Sequence, residues 1–384
     1  MERVIIKDTS KELVHCIIGI RAGWRHEPPG RRGITHFLEH GIFLGNEEYP
    51  NPDEVAHRYG VEINGITLPE HTLFYFTSLK EDYPRILQCL LSIIFHPDLE
   101  EEKLEEEKKK AILTAIVQES DYTPWELAYA WGENLVFNWD FKLSLGREED
   151  LVPMGTRELR EWHSKYYHQE NCFMLIFGDV KDREIDNIIA KARIKSDGEI
   201  PSPFLIPWKE KEVKIKKDTV NVEMVYGFKI TEFDVSLELV SQLFGSCHGM
   251  LEEWDTAFDK YVYMKETKMK WNLKEGGLFF YFGATSHGNA MRIDEMFWDI
   301  LNNVKIIPER VELAKKLSLI EALKMKEGGE RGLFRFFHCN PRLYSGGFKE
   351  YVEKLNRVTL EDIIKAKDKH LIPDNCFKAF VGDV

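Results

Sequence analysis

The sequence predicts an α+β protein of two homologous α/β-layer domains, each a mainly antiparallel sheet packed with helices. Three observations carry this. "NCFMLIFGDV" (171–180) and "NCFKAFVGDV" (375–384) share six of ten residues at an offset of 204. Each follows an amphipathic segment led by threonine, "GTRELREWHSKYYHQE" and "VTLEDIIKAKDKHLIPD", which reads as a capped helix running into a strand. With 384 residues the chain suits two domains, and the repeat is far longer than a solenoid unit.

The elements follow in order. "ELVHCIIGIRAG" and "HTLFYFTSL" are rich in β-branched and aromatic residues and read as strands. "NPDEVAHRYG" reads as a short helix with Asn51 as cap, Pro52 first, Glu54 in the capping box and Gly60 as the stop. "PDLEEEKLEEEKKKAILTAIVQE" reads as a long helix capped by Asp98, with acids before lysines as the helix dipole prefers. "KSDGEIPSPFLIPWKEKE", with Gly198, Pro201, Pro203 and Pro207, reads as a linker. The expected domains are therefore 1–195 and 216–384, joined by 196–215.

Charge and composition narrow the function. The net charge of −13 argues against nucleic acid or an anionic membrane as partner. The most apolar run, "ILQCLLSIIF" (86–95), is about half a membrane span. "MERVIIKDTSKE" lacks a signal-peptide apolar region, and six cysteines occur without a CxxC pair. Reduced cysteines in a cytoplasmic protein are the expectation.

The chemistry concentrates in "GITHFLEHGIF" (33–43). On a helix, His36 and His40 stand at i and i+4 and share a face. Two neutral imidazoles and a carboxylate suit zinc and leave a fourth position open. Glu39 sits between them in the order H-x-x-E-H, placed to take a proton from water and return it to a leaving amine. A surface helix with two solvated histidines is the alternative, but Ile34, Phe37 and Leu38 make the other face apolar. A third ligand is expected on the long helix. Glu119 follows the apolar run "AILTAIVQ", where a carboxylate is costly unless paired or metal-bound, whereas the acids at 100–107 read as a solvated face.

The stretch from "RAGWRHEPPGRRGITHFLEH" through "NGITLPEHTLFYF" to "VQESDYTPWELAY" resembles the pitrilysin and mitochondrial-processing-peptidase family of zinc peptidases. The resemblance covers the first domain and, more faintly, the second. It implies a half of a clam-shaped chamber that hydrolyses short or unfolded peptides. It implies zinc on His36, His40 and Glu119, the last 79 residues beyond His40. It also implies a substrate strand added to a sheet edge around Asn64, Gly65 and Ile66. A plain turn is the other reading of that "NG".

Two departures stand out. A supporting glutamate usually lies seven residues before the third ligand, and here that position is Ile112. Active members also carry an arginine and, seven residues on, a tyrosine in the second domain. Here Tyr263 matches the tyrosine, but Thr256 stands at the arginine position, with Lys260 or Lys265 as conceivable substitutes. In some members a zinc chain pairs with a zinc-less chain that supplies the Arg/Tyr pair. The expectation is thus the catalytic subunit of such a heterodimer, or else a homodimer. A non-catalytic peptide-binding or scaffold subunit is the alternative. Cys247 and His248 are expected to be structural.

Overall fold

The computed structural model describes residues 1–120, 122–245, 250–272, 275–327 and 347–384, without the side chains of 115–120, 325–327 and 347–348. Cys247 and His248 lie outside the described residues. In chain order the elements begin with β1 (Glu2–Lys7), β2 (Leu13–Ile20), α1 (Ile34–Ile42), α2 (Pro52–Tyr59), β3 (Ile63–Thr67) and β4 (Thr72–Leu79). Next come α3 (Tyr83–Phe95), α4 (Glu101–Ser120), α5 (Pro124–Phe137), α6 (Glu148–Leu151), α7 (Thr156–Tyr166), β5 (Cys172–Gly178) and α8 (Asp182–Lys191). The remainder holds β6 (Glu212–Lys216), β7 (Val222–Ile230), α9 (Val235–Gly245), α10 (Glu252–Phe258), β8 (Val262–Trp271), β9 (Gly276–Ala284), α11 (His287–Asn303) and α12 (Pro308–Glu327). Helices Gly347–Arg357 and Leu360–His370 then lead into β10 (Cys376–Gly382).

Two five-stranded sheets result, with the same topology. The first runs β1-β5-β2-β4-β3 and the second β6-β10-β7-β9-β8. Only the pair at one edge of each sheet, β1 with β5 and β6 with β10, is parallel; the other pairs are antiparallel. The repeated "NCF" strands are β5 and β10, second in each sheet, so the duplication in sequence is a duplication in topology. Interior strands are near-continuous apolar runs, as strands covered on both faces require: every residue of β5 and all but the first of β2 are buried. The edge strand β6, "EVKIK", stays exposed or half-buried, its lysines discouraging further pairing.

The sequence misplaces one helix. Residues 1–120 and 142–205 form one compact unit, while 122–141 join 206–327 and 347–384 in the other. Within the second unit, α5 lies on the second sheet: a Cβ on Gly132 would stand 2.6 Å from Val225 Cγ1, and the Phe137 and Phe279 rings are 5.8 Å apart. The boundary expected at residue 195 separates α5 from the sheet it covers. Helix starts also shift. Asp98 does not cap α4, which begins at Glu101, because Leu99 takes φ +51. The cap of α7 is Gly155 rather than Thr156, whose hydroxyl donates to Leu99 O (3.1 Å). Thr359 does cap its helix, in a capping box with Asp362.

Candidate active site

Helix α1 turns its apolar residues Ile34, Phe37, Leu38 and Ile42 into the core of the first unit. His36, Glu39 and His40 emerge on the other side. The His36 and His40 Nε2 atoms stand 3.2 Å apart, their rings edge to face. Two Zn–N bonds of 2.0–2.1 Å at a tetrahedral angle place their nitrogens about 3.3 Å apart, so the pair fits a metal. Burial, reinforced by the neighbouring His40, pushes His36 down to about 3. The ring is therefore neutral at physiological pH, as a ligand must be.

Glu39 is buried. Burial pushes its carboxyl up to about 7, against the Thr67 hydroxyl that donates to its Oε2 at 2.5 Å. Thr67 closes β3, the edge strand of the first sheet, and the same strand crosses over Glu39 at Gly65. A Cβ on Gly65 would lie 2.9 Å from Glu39 Oε1 and 3.0 Å from Phe43 Cε2. Glycine is what lets the strand pass that close. Asn64 is exposed on the same strand, its Oδ1 accepting from Gly65 N–H (2.8 Å) and its Nδ2 donating to Glu62 Oε1 (3.0 Å).

A residue the sequence reading passed over also belongs here. Glu107, placed there in a solvated acidic face, has a side chain only 15% exposed, and its Oε2 lies 3.1 Å from His40 Nδ1. Lys110 holds its other oxygen. Burial opposes ionisation, but the bonds from Lys110 and His40 hold this carboxyl below the ordinary range. The approach depends on Gly41 in α1, where a Cβ would meet Leu104 and Leu99 at 3.0 Å.

Glu119 sits in the last turn of α4, and its side chain lies outside the described residues. Twelve positions beyond Glu107 (119 − 107), its Cα is about 18 Å further along a straight helix axis. If Glu107 is the supporting glutamate, seven residues on stands Thr114 rather than Glu119. Thr114 is exposed, and its hydroxyl donates to Lys110 O (2.9 Å). Ile112 is half-buried against the core. Among the described residues, no group of three His, Cys, Asp or Glu side chains could hold a metal ion.

In the second unit Tyr263 lies on the edge strand β8. Its hydroxyl donates to the buried Glu223 (2.8 Å), which also accepts from Tyr281. Thr256 is exposed on α10. Lys265 is taken up by Asp255 (2.8 Å) and Asp259, and the Lys260 ammonium sits 4.9 Å from the centre of the Tyr261 ring.

A duplicated five-stranded sheet with an H-x-x-E-H turn beneath one edge strand defines a class of metallopeptidase-like proteins. The chain belongs to peptidase family M16: residues 3–128 match "Insulinase (Peptidase family M16)" and 156–329 match "Peptidase M16 inactive domain". It is 25% identical over 374 residues to an uncharacterized zinc protease of Bacillus subtilis, covering 90% of this chain and 87% of that protein. It is 23% identical over 193 residues to cytochrome b-c1 complex subunit 1 of Bos taurus, covering 49% of this chain but 40% of that one. A solved protease from Helicobacter pylori shares its fold at a TM-score of 0.81 and 17% identity, over 99% of this chain and 96% of the other. Among the described residues no helix is long and apolar enough to cross a membrane, and Cys16, Cys89, Cys172 and Cys376 are free and buried.

Proposed function

We propose that the chain is a zinc-dependent endopeptidase acting on short or unfolded peptides, and that it works as the zinc-carrying subunit of a cytoplasmic heterodimer. The observation that supports it most is the pair of imidazoles whose Nε2 atoms converge at 3.2 Å beside a buried glutamate, under an edge strand. His36 and His40 would hold the metal, with Glu107 orienting His40 by accepting its Nδ1–H. Glu119, the third ligand expected from the sequence, is left out of this reading, because it stands about 18 Å beyond Glu107 along α4. Zinc, when bound, supplies Lewis-acid polarisation of a water and of a peptide carbonyl. Glu39, buried beside the two histidines, takes the water's proton and passes it to the leaving amine. Thr67 fixes one oxygen of that carboxylate, and the outer edge of β3, around Asn64 and Gly65, aligns the peptide by main-chain hydrogen bonds. Tyr263 would hold substrate in the partner-completed chamber.

The partner is supported by Thr256, which carries no cation at the arginine position, and by the two substitutes: Lys265 is paired with Asp255 and Asp259, and Lys260 lies over the Tyr261 ring. A missing donor to a developing oxyanion costs on the order of 10²–10³ in rate. The test assays extended fluorogenic peptides with the isolated chain and with a homologous zinc-less chain carrying an intact Arg/Tyr pair. A 1:1 complex with at least that gain is expected. Full turnover by the isolated chain, on the order of 1–10³ per second, would rule the partner out.

A second reading, a non-catalytic peptide-binding or scaffold subunit, is favoured by Thr114 standing seven residues beyond Glu107. It predicts peptide binding without zinc, and metal content separates the two.

A further inference from the structure

Helix α1 carries His36, Glu39 and His40, yet its N-terminus has no cap of its own. The N-cap residue is Gly33 at φ +88, and it has no side chain to accept from the first-turn amides. Nothing larger fits, since a Cβ there would lie 2.7 Å from Leu145 O and 2.8 Å from Gly146 Cα. The cap arrives from six residues upstream. Glu27 is fully buried; its Oε2 accepts from Gly33 N–H (2.7 Å) and its Oε1 from Thr35 N–H (2.9 Å).

This is a costly way to cap a helix. A serine or aspartate at the N-cap could satisfy Thr35 N–H at the surface, whereas a fully buried carboxylate loses its hydration. What the arrangement adds is position. Two bonds into one carboxylate, from residues two apart, fix both the height and the rotation of the first turn. Thr35 directly precedes His36, and Glu39 and His40 follow within the next turn. Burial pushes the Glu27 carboxyl up to about 7, against the bonds from Gly33 and Thr35 and the Arg32 charge, and its ionised form also meets the positive end of the helix dipole.

We propose that Glu27 is a positioning residue of the metal centre, holding α1 at the rotation that makes the two Nε2 atoms converge. This rests on the reading of His36 and His40 as metal ligands. It assigns Glu27 no contact with metal or substrate.

The test measures zinc affinity and α1 amide exchange of the full chain against Glu27→Ala, Glu27→Gln and Asn171→Ala. Asn171 is a buried residue outside α1, bonded to Tyr166 O (3.0 Å), and serves as a generic destabilising change. Glu27→Ala should weaken zinc about 10–100-fold, as loss of groups behind metal ligands does, and speed exchange of α1 amides in the zinc-free chain. Glu27→Gln, which keeps one acceptor oxygen, should fall between, and it carries the test if the alanine variant does not fold. Asn171→Ala should lower the unfolding temperature and leave zinc affinity unchanged. If the Glu27 variants lower the unfolding temperature but bind zinc like the parent, Glu27 is only a structural cap. If the parent binds no zinc, the metal reading fails and the inference with it.

Discussion

Glu107 Oε2 lies 3.1 Å from His40 Nδ1, so the imidazole that turns Nε2 toward His36 is held from behind by a carboxylate on another helix. Such a partner fixes the tautomer and raises the basicity of the ligating nitrogen. Glu107→Gln should therefore weaken zinc about 10–100-fold with the fold intact. Titration against a competing chelator reads this directly; unchanged affinity would leave Glu107 as a helix-surface acid paired with Lys110.

The close crossing of β3 over Glu39 makes Gly65 sensitive. In Gly65→Ala the new methyl meets Glu39 Oε1 at 2.9 Å, so either the strand or the carboxylate must move. A misplacement near 1 Å can cost on the order of 10²-fold in rate. Peptide hydrolysis should fall by that order while zinc content and unfolding temperature stay near the parent's. Parent-level hydrolysis would show that the strand has room to spare.

Much of this site is legible in the sequence, for reasons that also mark the limit. The H-x-x-E-H turn can be read because i and i+4 share a helix face whatever surrounds the helix. The two sheets can be read because buried strands need apolar runs and the "NCF" strands recur. Glu107 cannot, because its burial comes from α1 and α4 approaching over Gly41, a tertiary contact that leaves no trace in an acidic run. The destination of α5 is equally hidden: its apolar face is plain, but nothing local says which of two similar sheets it covers.

In the second unit, the Tyr351 hydroxyl donates to Glu238 Oε2 at 2.7 Å, and burial pushes Glu238 up from 4.5 to about 7 against that bond. The folded chain keeps a proton that the unfolded chain releases from about 4.5 upward. The stability this group contributes is full below about 4.5 and is lost as pH rises through about 7. Glu238→Gln lacks that titration. Its unfolding temperature relative to the parent should climb between pH 4.5 and 7.5; a pH-independent difference would contradict the buried neutral carboxyl.

Tyr263→Phe removes one of the two hydroxyls donating to Glu223. Leaving a buried acceptor short of a donor costs about 1–3 kcal/mol. Denaturant unfolding should show a loss of that size, and KM for extended peptides should rise if Tyr263 also holds substrate. A stability loss with an unchanged KM would confine Tyr263 to a structural role.

The most direct test of the account is the zinc content of the purified full chain beside its His36→Ala and His40→Ala variants, by elemental analysis under matched conditions. About one zinc per parent chain and little in either variant is the predicted result. A parent chain without zinc, or variants that hold as much as the parent, would contradict the assignment of His36 and His40 as the metal centre.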